Sequence, residues 1–251
     1  MAKEPKASLV FLVINMYSTR ALFKMFKKGY DNALKGHKII YKNWDDVRGI
    51  RDTLRKGGSG GVSGGNSVSG VSGVSGVIIT GSNYFIKNKE HSIIDESILR
   101  SRLPILAICY GFQYMVSSRS SRSSRSSRSS RSSRSSRSSR SSVASSKNPF
   151  IKSNKAGYMK YNKSFSVSDS GSAGASSIPF NIPKTKYFFY HRDYIVKVPK
   201  DFTVIKKCKD KIVMAYNSKK NILGVQFHPE KYKKSARVFF NAWISGCVLR
   251  K

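Results

Sequence analysis

The chain has 251 residues, a formal net charge of +34 and three cysteines, Cys109, Cys208 and Cys247. That length suits one domain, read here as spanning residues 1–251. Three cysteines cannot all pair, and none has a close Cys/His spacing, which argues against a disulfide scaffold and a zinc site and for a reducing, cytoplasmic setting.

In chain order, the apolar run Leu9 to Ile14 comes first. It is too short to span a membrane and is not followed by a small-residue cleavage site, so a strand buried on both faces is expected. Ser18 or Thr19 can cap a helix running to about Leu34, with Leu22, Phe23, Phe26 and Tyr30 on one stripe and Gly36 ending it. His37 to Tyr41 reads as a second strand, and Asp45 or Asp46 opens a helix toward Arg55. After a Gly/Ser/Val run, taken as an insert of residues 57–76, Val77 to Thr80 forms a third strand that Gly81 stops. Ser92 to Arg100 reads as a helix with Ile93, Ile94 and Leu99 inward. Pro104 precedes a fourth strand, Ile105 to Ile108, and Gly111 to Met115 starts another helix. Alternating apolar strands and helices predict a parallel α/β sheet.

A second low-complexity stretch follows. The Arg-Ser-Ser run from Ser117 to Ser142, within an insert of residues 117–146, carries arginine at every third position from Arg119 to Arg140. It has no apolar content and repels itself, so disorder is expected. Two readings stand: an RNA-binding or phosphorylatable tail, or a simple repeat tolerated in a surface loop. The remaining positive charge lies on lysines scattered through every segment, a compositional bias that gives at most weak nonspecific nucleic-acid binding.

The C-terminal half reads as short strands with little helix between them, arranged as hairpins on the main sheet. They are Tyr158 to Tyr161, Phe165 to Val167, Tyr187 to Tyr190, Ile195 to Val198, Thr203 to Lys207, Ile212 to Tyr216 and Leu223 to Phe227. A helix from about Lys234 to Ser245 closes the chain, with Val238, Phe239, Ala242 and Trp243 buried.

Two segments carry chemistry. In Ile105-Leu106-Ala107-Ile108-Cys109-Tyr110-Gly111-Phe112-Gln113 a buried strand delivers a cysteine into a tight turn, and a helix begins at once. That geometry exposes the sulfur at the carboxyl end of the sheet, and the helix N-terminus favours the nucleophilic thiolate. In Gly224-Val225-Gln226-Phe227-His228-Pro229-Glu230 a strand ends in a histidine with a carboxylate two residues on. A cysteine hydrolase needs a base for the thiol proton and a third group to orient the imidazole. Either segment alone also fits a buried structural cysteine or a strand-end histidine beside a solvated glutamate.

Together the two segments resemble the signature of class I (triad) glutamine amidotransferases, the first being similar to the version in glutaminase domains of GMP synthases. Tyr190-His191-Arg192-Asp193, then Val198-Pro199 and Phe202, resembles the family's Ser-His-Gly-Asp, Leu-Pro and Phe pattern. Val77-Ile78-Ile79-Thr80-Gly81-Ser82-Asn83 stands where the family has an apolar strand followed by Ser-Gly-Gly-Pro. The chain departs from the pattern at Ser82 for the second glycine, Asn83 for the proline and Tyr190 for the serine. The resemblance implies a flavodoxin-like, mostly parallel sheet with flanking helices and an added antiparallel hairpin region. It implies Cys109, His228 and Glu230 as the catalytic set, with the backbone N–H groups of Tyr110 and Ser82 as the oxyanion hole. Gly81, Gln113, Arg192 and Asp193 would hold L-glutamine, with no metal or organic cofactor. No loop for ATP pyrophosphate is present, so an ATP-dependent synthetase would act in trans. A stand-alone γ-glutamyl hydrolase and a decayed, basic nucleic-acid-binding scaffold are the alternatives.

Overall fold

The computed structural model describes residues 8–56, 73–86, 93–118, 148–154, 157–167 and 179–249. Its main sheet begins with a parallel block. Strands β1 (Val10–Asn15), β2 (Lys38–Asn43), β3 (Gly76–Ile79), β4 (Ile105–Ile108) and β11 (Ile222–Val225) lie in the order β2-β1-β3-β4-β11, each pair parallel. This is the strand order of flavodoxin-like folds. Beyond β11 the pairing turns antiparallel, through β10 (Lys211–Asn217), β8 (Asp193–Ile195) and β5 (Ile151–Ser153), with β9 (Thr203–Cys208) also on β10.

The parallel strands read as continuous apolar runs because both faces are covered. Phe11, Val13, Ile78, Leu106, Leu223 and Val225 join one core, under helices α1 (Arg20–Ala33) and α5 (Lys233–Trp243). Leu12, Ile14, Val77, Ile79, Ile105 and Ala107 join the other, with Ile50 of α2 (Val47–Lys56), Ile98 of α3 (Glu96–Arg100) and Phe112 and Met115 of α4 (Tyr110–Ser117). Thr19 caps α1 as expected, its hydroxyl accepting from Leu22 N at 3.3 Å. On the C-terminal helix Ala236, Phe239, Phe240 and Trp243 are buried, whereas Val238 and Ala242 are only partly so. The helix continues into a wider π turn, Ile244–Val248.

Several expectations shift. The helix expected from Ser92 starts only at Glu96, because Asp95 caps it by accepting from Ser97 N at 2.9 Å, and this leaves Ile93 exposed. Tyr158 to Tyr161 and Phe165 to Val167 are one strand, β6 (Met159–Val167), which pairs with the ten-residue β7 (Ile182–His191). This hairpin is a separate two-stranded sheet, not an extension of the main one. β8 ends at Ile195, before Val198, and the short β5 was not anticipated. Val74 and Gly76, assigned to the first insert, belong to the core, while residues 57–72 lie outside the described part. The Arg-Ser-Ser tract lies outside it too, apart from Ser117 and Ser118 at the end of α4.

Gly29, inside α1, decides how closely that helix approaches the sheet's carboxyl end. A Cβ there would sit 2.1 Å from the main-chain oxygen of Glu230. Helix propensity alone favours Gly29→Ala by about 1 kcal/mol. Steric conflict with a backbone atom is the larger effect, so the substitution should destabilise the fold by about 1–3 kcal/mol. Urea unfolding of Gly29→Ala checks the sign, and a gain in stability would refute this packing.

Candidate active site

The carboxyl ends of β1, β3, β4 and β11 lie side by side, and the expected chemistry collects there. Cys109 follows β4 directly and holds φ 50° and ψ −104°, a conformation disfavoured for a residue with a side chain. Two hydrogen bonds pin it: its N–H donates to Val225 O at 2.7 Å, and its C=O accepts from Gln113 N at 3.0 Å. Cys109 is buried at the edge of one core and lines a cavity of about 530 Å³. His228 lines the same cavity.

β11 neighbours β4 in parallel, so its continuation, Gln226 to Glu230, turns over Cys109. Pro229 starts a short 3-10 turn that folds Glu230 back, and His228 Nδ1 lies 2.9 Å from Glu230 Oε1. The imidazole also interacts with the Cys109 thiol. Burial pushes the His228 pKa down, but the charges of Glu230 and Cys109 and their hydrogen bonds outweigh it, raising the pKa to about 10. Both residues are almost fully buried. Phe26 stacks on the ring at 5.2 Å between centroids, and Tyr17 stacks on Phe26 at 5.2 Å. Burial, then the negative charge of Glu230, keeps the phenols of Tyr17 and Tyr30 protonated well beyond their usual range. Tyr30 faces Glu230 without the geometry of a full hydrogen bond.

Gly81 sits where β3 meets these groups. A Cβ there would lie 2.8 Å from His228 Cε1 and 3.5 Å from Cys109 Cβ, so any side chain would intrude on the pair. Ser82 and Tyr110 line the same cavity. Ser82 needs no glycine torsion: the described non-glycine residues with positive φ are Arg102, Cys109, Lys209 and Asn221. Its hydroxyl donates to Met16 O at 2.7 Å and accepts from Tyr84 N at 3.0 Å, tying the loop to the end of β1.

Gln113, Arg192 and Asp193 also line the cavity. Gln113 turns its amide N–H groups inward, to Asp193 O at 2.6 Å and Gln226 Oε1 at 3.3 Å. Asp193 is buried, and Oδ1 accepts from Ser153 Oγ at 2.6 Å while Oδ2 has no partner among the described residues. The Arg192 guanidinium lies over the Phe85 ring, 5.2 Å from its centroid. His191 is buried, and burial holds its pKa down at about 4. Residues not assigned to the site from sequence are Tyr17, Phe26, Gly29, Tyr30, Ser153 and Gln226. A glycine inside a helix was a readable signal for Gly29, and Gln226 lies within the histidine motif. No grouping of side chains suited to a metal ion occurs among the described residues.

The two histidines make stability depend on pH in opposite senses. Both have an ordinary value of 6.5. His191 binds its proton less readily when folded, so its contribution is complete above pH 6.5 and lost as the pH falls toward about 4. His228 binds more readily when folded, so its contribution is complete below pH 6.5 and lost as the pH rises toward about 10. Unfolding midpoints compared across pH 6.5 to 10 should show the gap between the parent and Glu230→Gln closing, and a constant gap would refute this account.

The model of the family "Glutamine amidotransferase class-I" matches residues 66–245. A GMP synthase (glutamine-hydrolyzing) from Wigglesworthia glossinidia brevipalpis is 24% identical over 155 residues, covering 61% of this chain and 25% of that one. Imidazole glycerol phosphate synthase subunit HisH 1 from Parasynechococcus marenigrum is 28% identical over 156 residues, covering 61% of this chain and 67% of that one. The chain thus spans about a quarter of the GMP synthase it matches. Among solved structures, that of a GMP synthase subunit from Thermoplasma acidophilum aligns with a TM-score of 0.48 at 16% identity, covering 96% of this chain and 94% of that one. With the family model covering well over half of its length, the chain belongs to the class I glutamine amidotransferases.

Proposed function

We propose that this chain, as a single domain with low-complexity inserts after α2 and α4, hydrolyses L-glutamine to glutamate and ammonia and supplies the ammonia to a separate, ATP-dependent synthetase of the GMP-synthase kind. The observation that carries the reading is the set Cys109, His228 and Glu230, with His228 Nδ1 2.9 Å from Glu230 Oε1 and the imidazole lining the same cavity as Cys109.

The steps follow from those positions. Cys109 Sγ attacks the side-chain amide carbon of glutamine while His228 holds the thiol proton. The oxyanion forms between the backbone N–H groups of Tyr110 and Ser82. The C–N bond breaks, and the nitrogen leaves as ammonia with the proton from His228. Water then attacks the γ-glutamyl thioester, giving its proton to the same imidazole, and the C–S bond breaks to free glutamate. Glu230 keeps the imidazole oriented and stabilises its charged form. The unpartnered Asp193 Oδ2 suits the substrate's ammonium group, and Arg192 suits its carboxylate. Gly81 leaves room for the amide, and Gln113, on the cavity wall, helps to hold the substrate from beside Asp193. No metal or organic group enters these steps.

One observation favours a second reading. A cavity of about 530 Å³ is in the range that holds drug-sized ligands, which also fits a larger γ-glutamyl amide. Glutaminase assays should show Cys109→Ala abolishing ammonia release and Glu230→Gln lowering kcat on the order of 10²-fold or more. Addition of the synthetase should raise the rate. A γ-glutamyl peptide turned over faster than glutamine would select the second reading, and full activity in Cys109→Ala would overturn both.

A further inference from the structure

Behind the nucleophile runs a buried chain of amides with a fixed direction. It starts at Asp193 O, a main-chain carbonyl that can only accept. Gln113 Nε2 donates to it at 2.6 Å, and His191 Nδ1 approaches it at 2.9 Å and must donate as well. The Gln113 amide is therefore oriented, since flipping it would press oxygen against oxygen. The same Nε2 donates onward to Gln226 Oε1 at 3.3 Å. That orients the second amide in turn, so Gln226 Nε2 faces Cys109 Sγ, at 3.5 Å. Gln113 and Gln226 are both almost fully buried, which keeps water from competing for these bonds.

On another side the thiol donates to a main-chain carbonyl, Tyr190 O, at 3.8 Å. A carbonyl can accept from a thiol but repels a thiolate. An amide N–H favours the thiolate. The two contacts thus sort the protonation states of Cys109, and Gln226 adds an amide donor to the stabilisation that the His228 imidazolium gives charge on sulfur.

We propose that Gln226 is a positioning residue for the nucleophile, an amide donor aimed at Cys109 Sγ by a relay that begins at Asp193 O and passes through Gln113. The relay explains why the glutamine of the histidine motif and the glutamine of the cysteine motif lie side by side. The inference builds on Cys109 being the nucleophile of the proposed reaction, but it can be read without glutamine.

The test is alkylation of the full chain by iodoacetamide across a pH series, with Cys109 followed by peptide mass spectrometry. Gln226→Met keeps the length and removes the donor. It should slow Cys109 modification about tenfold near neutral pH and displace the rate–pH profile toward higher pH, the size expected of a charge-assisted hydrogen bond. Gln113→Met breaks the relay one link earlier, so it should displace the profile in the same direction by less, and it serves if Gln226→Met fails to fold. A profile that stays in place in the folded variants overturns the proposal. Absence of glutaminase activity in the parent would count against the reaction alone, because the alkylation profile would still report on the relay.

Discussion

The site depends on one strained residue. Cys109 holds a backbone conformation that costs about 1–3 kcal/mol for a residue with a side chain. Relaxing it would rotate the sulfur away and detach α4 from β4. The fully buried strands on either side prevent this, since Ile108 is in register with Val225 and the next N–H, that of Cys109, already belongs to the β4–β11 ladder. The same pairing brings His228 within reach, although it is far away in sequence. Strain at the cysteine and placement of the imidazole are thus two results of one parallel strand pair.

The surroundings then decide how strongly the groups interact. Phe26, Phe188 and Tyr17 close around the imidazole and exclude water, which makes the attraction between His228 and Glu230 much larger than it would be at the surface. The abundant positive charge takes little part. Lys27, Lys186, Lys211 and Lys231 lie over the rings of Tyr41, Tyr232, Tyr194, and Phe26 and Phe188, so several lysines cover aromatic surface.

Features written locally were legible in the sequence. Leu9 to Ile14 and Ile105 to Ile108 announced buried strands by unbroken apolar runs, Ser18 and Thr19 announced the start of the first helix, and the cysteine and histidine motifs announced two segments that the fold brings to one cavity. Features that depend on distant contacts were not. Ser92 and Asp95 can both cap a helix, and Asp95, which does so, also pairs with Arg51 at 2.8 Å from far away in sequence. The gap between Tyr161 and Phe165 looked like a break, because Asn162, Lys163 and Ser164 are polar, yet they continue an edge-exposed strand. The roles of Gly29 and Gln226 depend on Glu230 O and Cys109 Sγ, which only the folded chain brings near them. Ser82 looked like a defect by comparison with glycine, but its hydroxyl bonds give the loop an anchor that glycine lacks.

The hairpin of β6 and β7 is a sheet of its own, yet His228 forms a bridge with Phe188, its N–H donating to Phe188 O at 2.8 Å. The strand that carries Phe188 also carries Tyr190, whose ring stacks on Tyr158 at the entrance, and leads directly into Arg192. The imidazole is therefore tethered to the rim. Whatever leans on that rim from outside, whether a bound amino acid or a docked surface, bears on the His228 ring through Phe188 and on the sulfur through Tyr190 O, so both groups feel the same push.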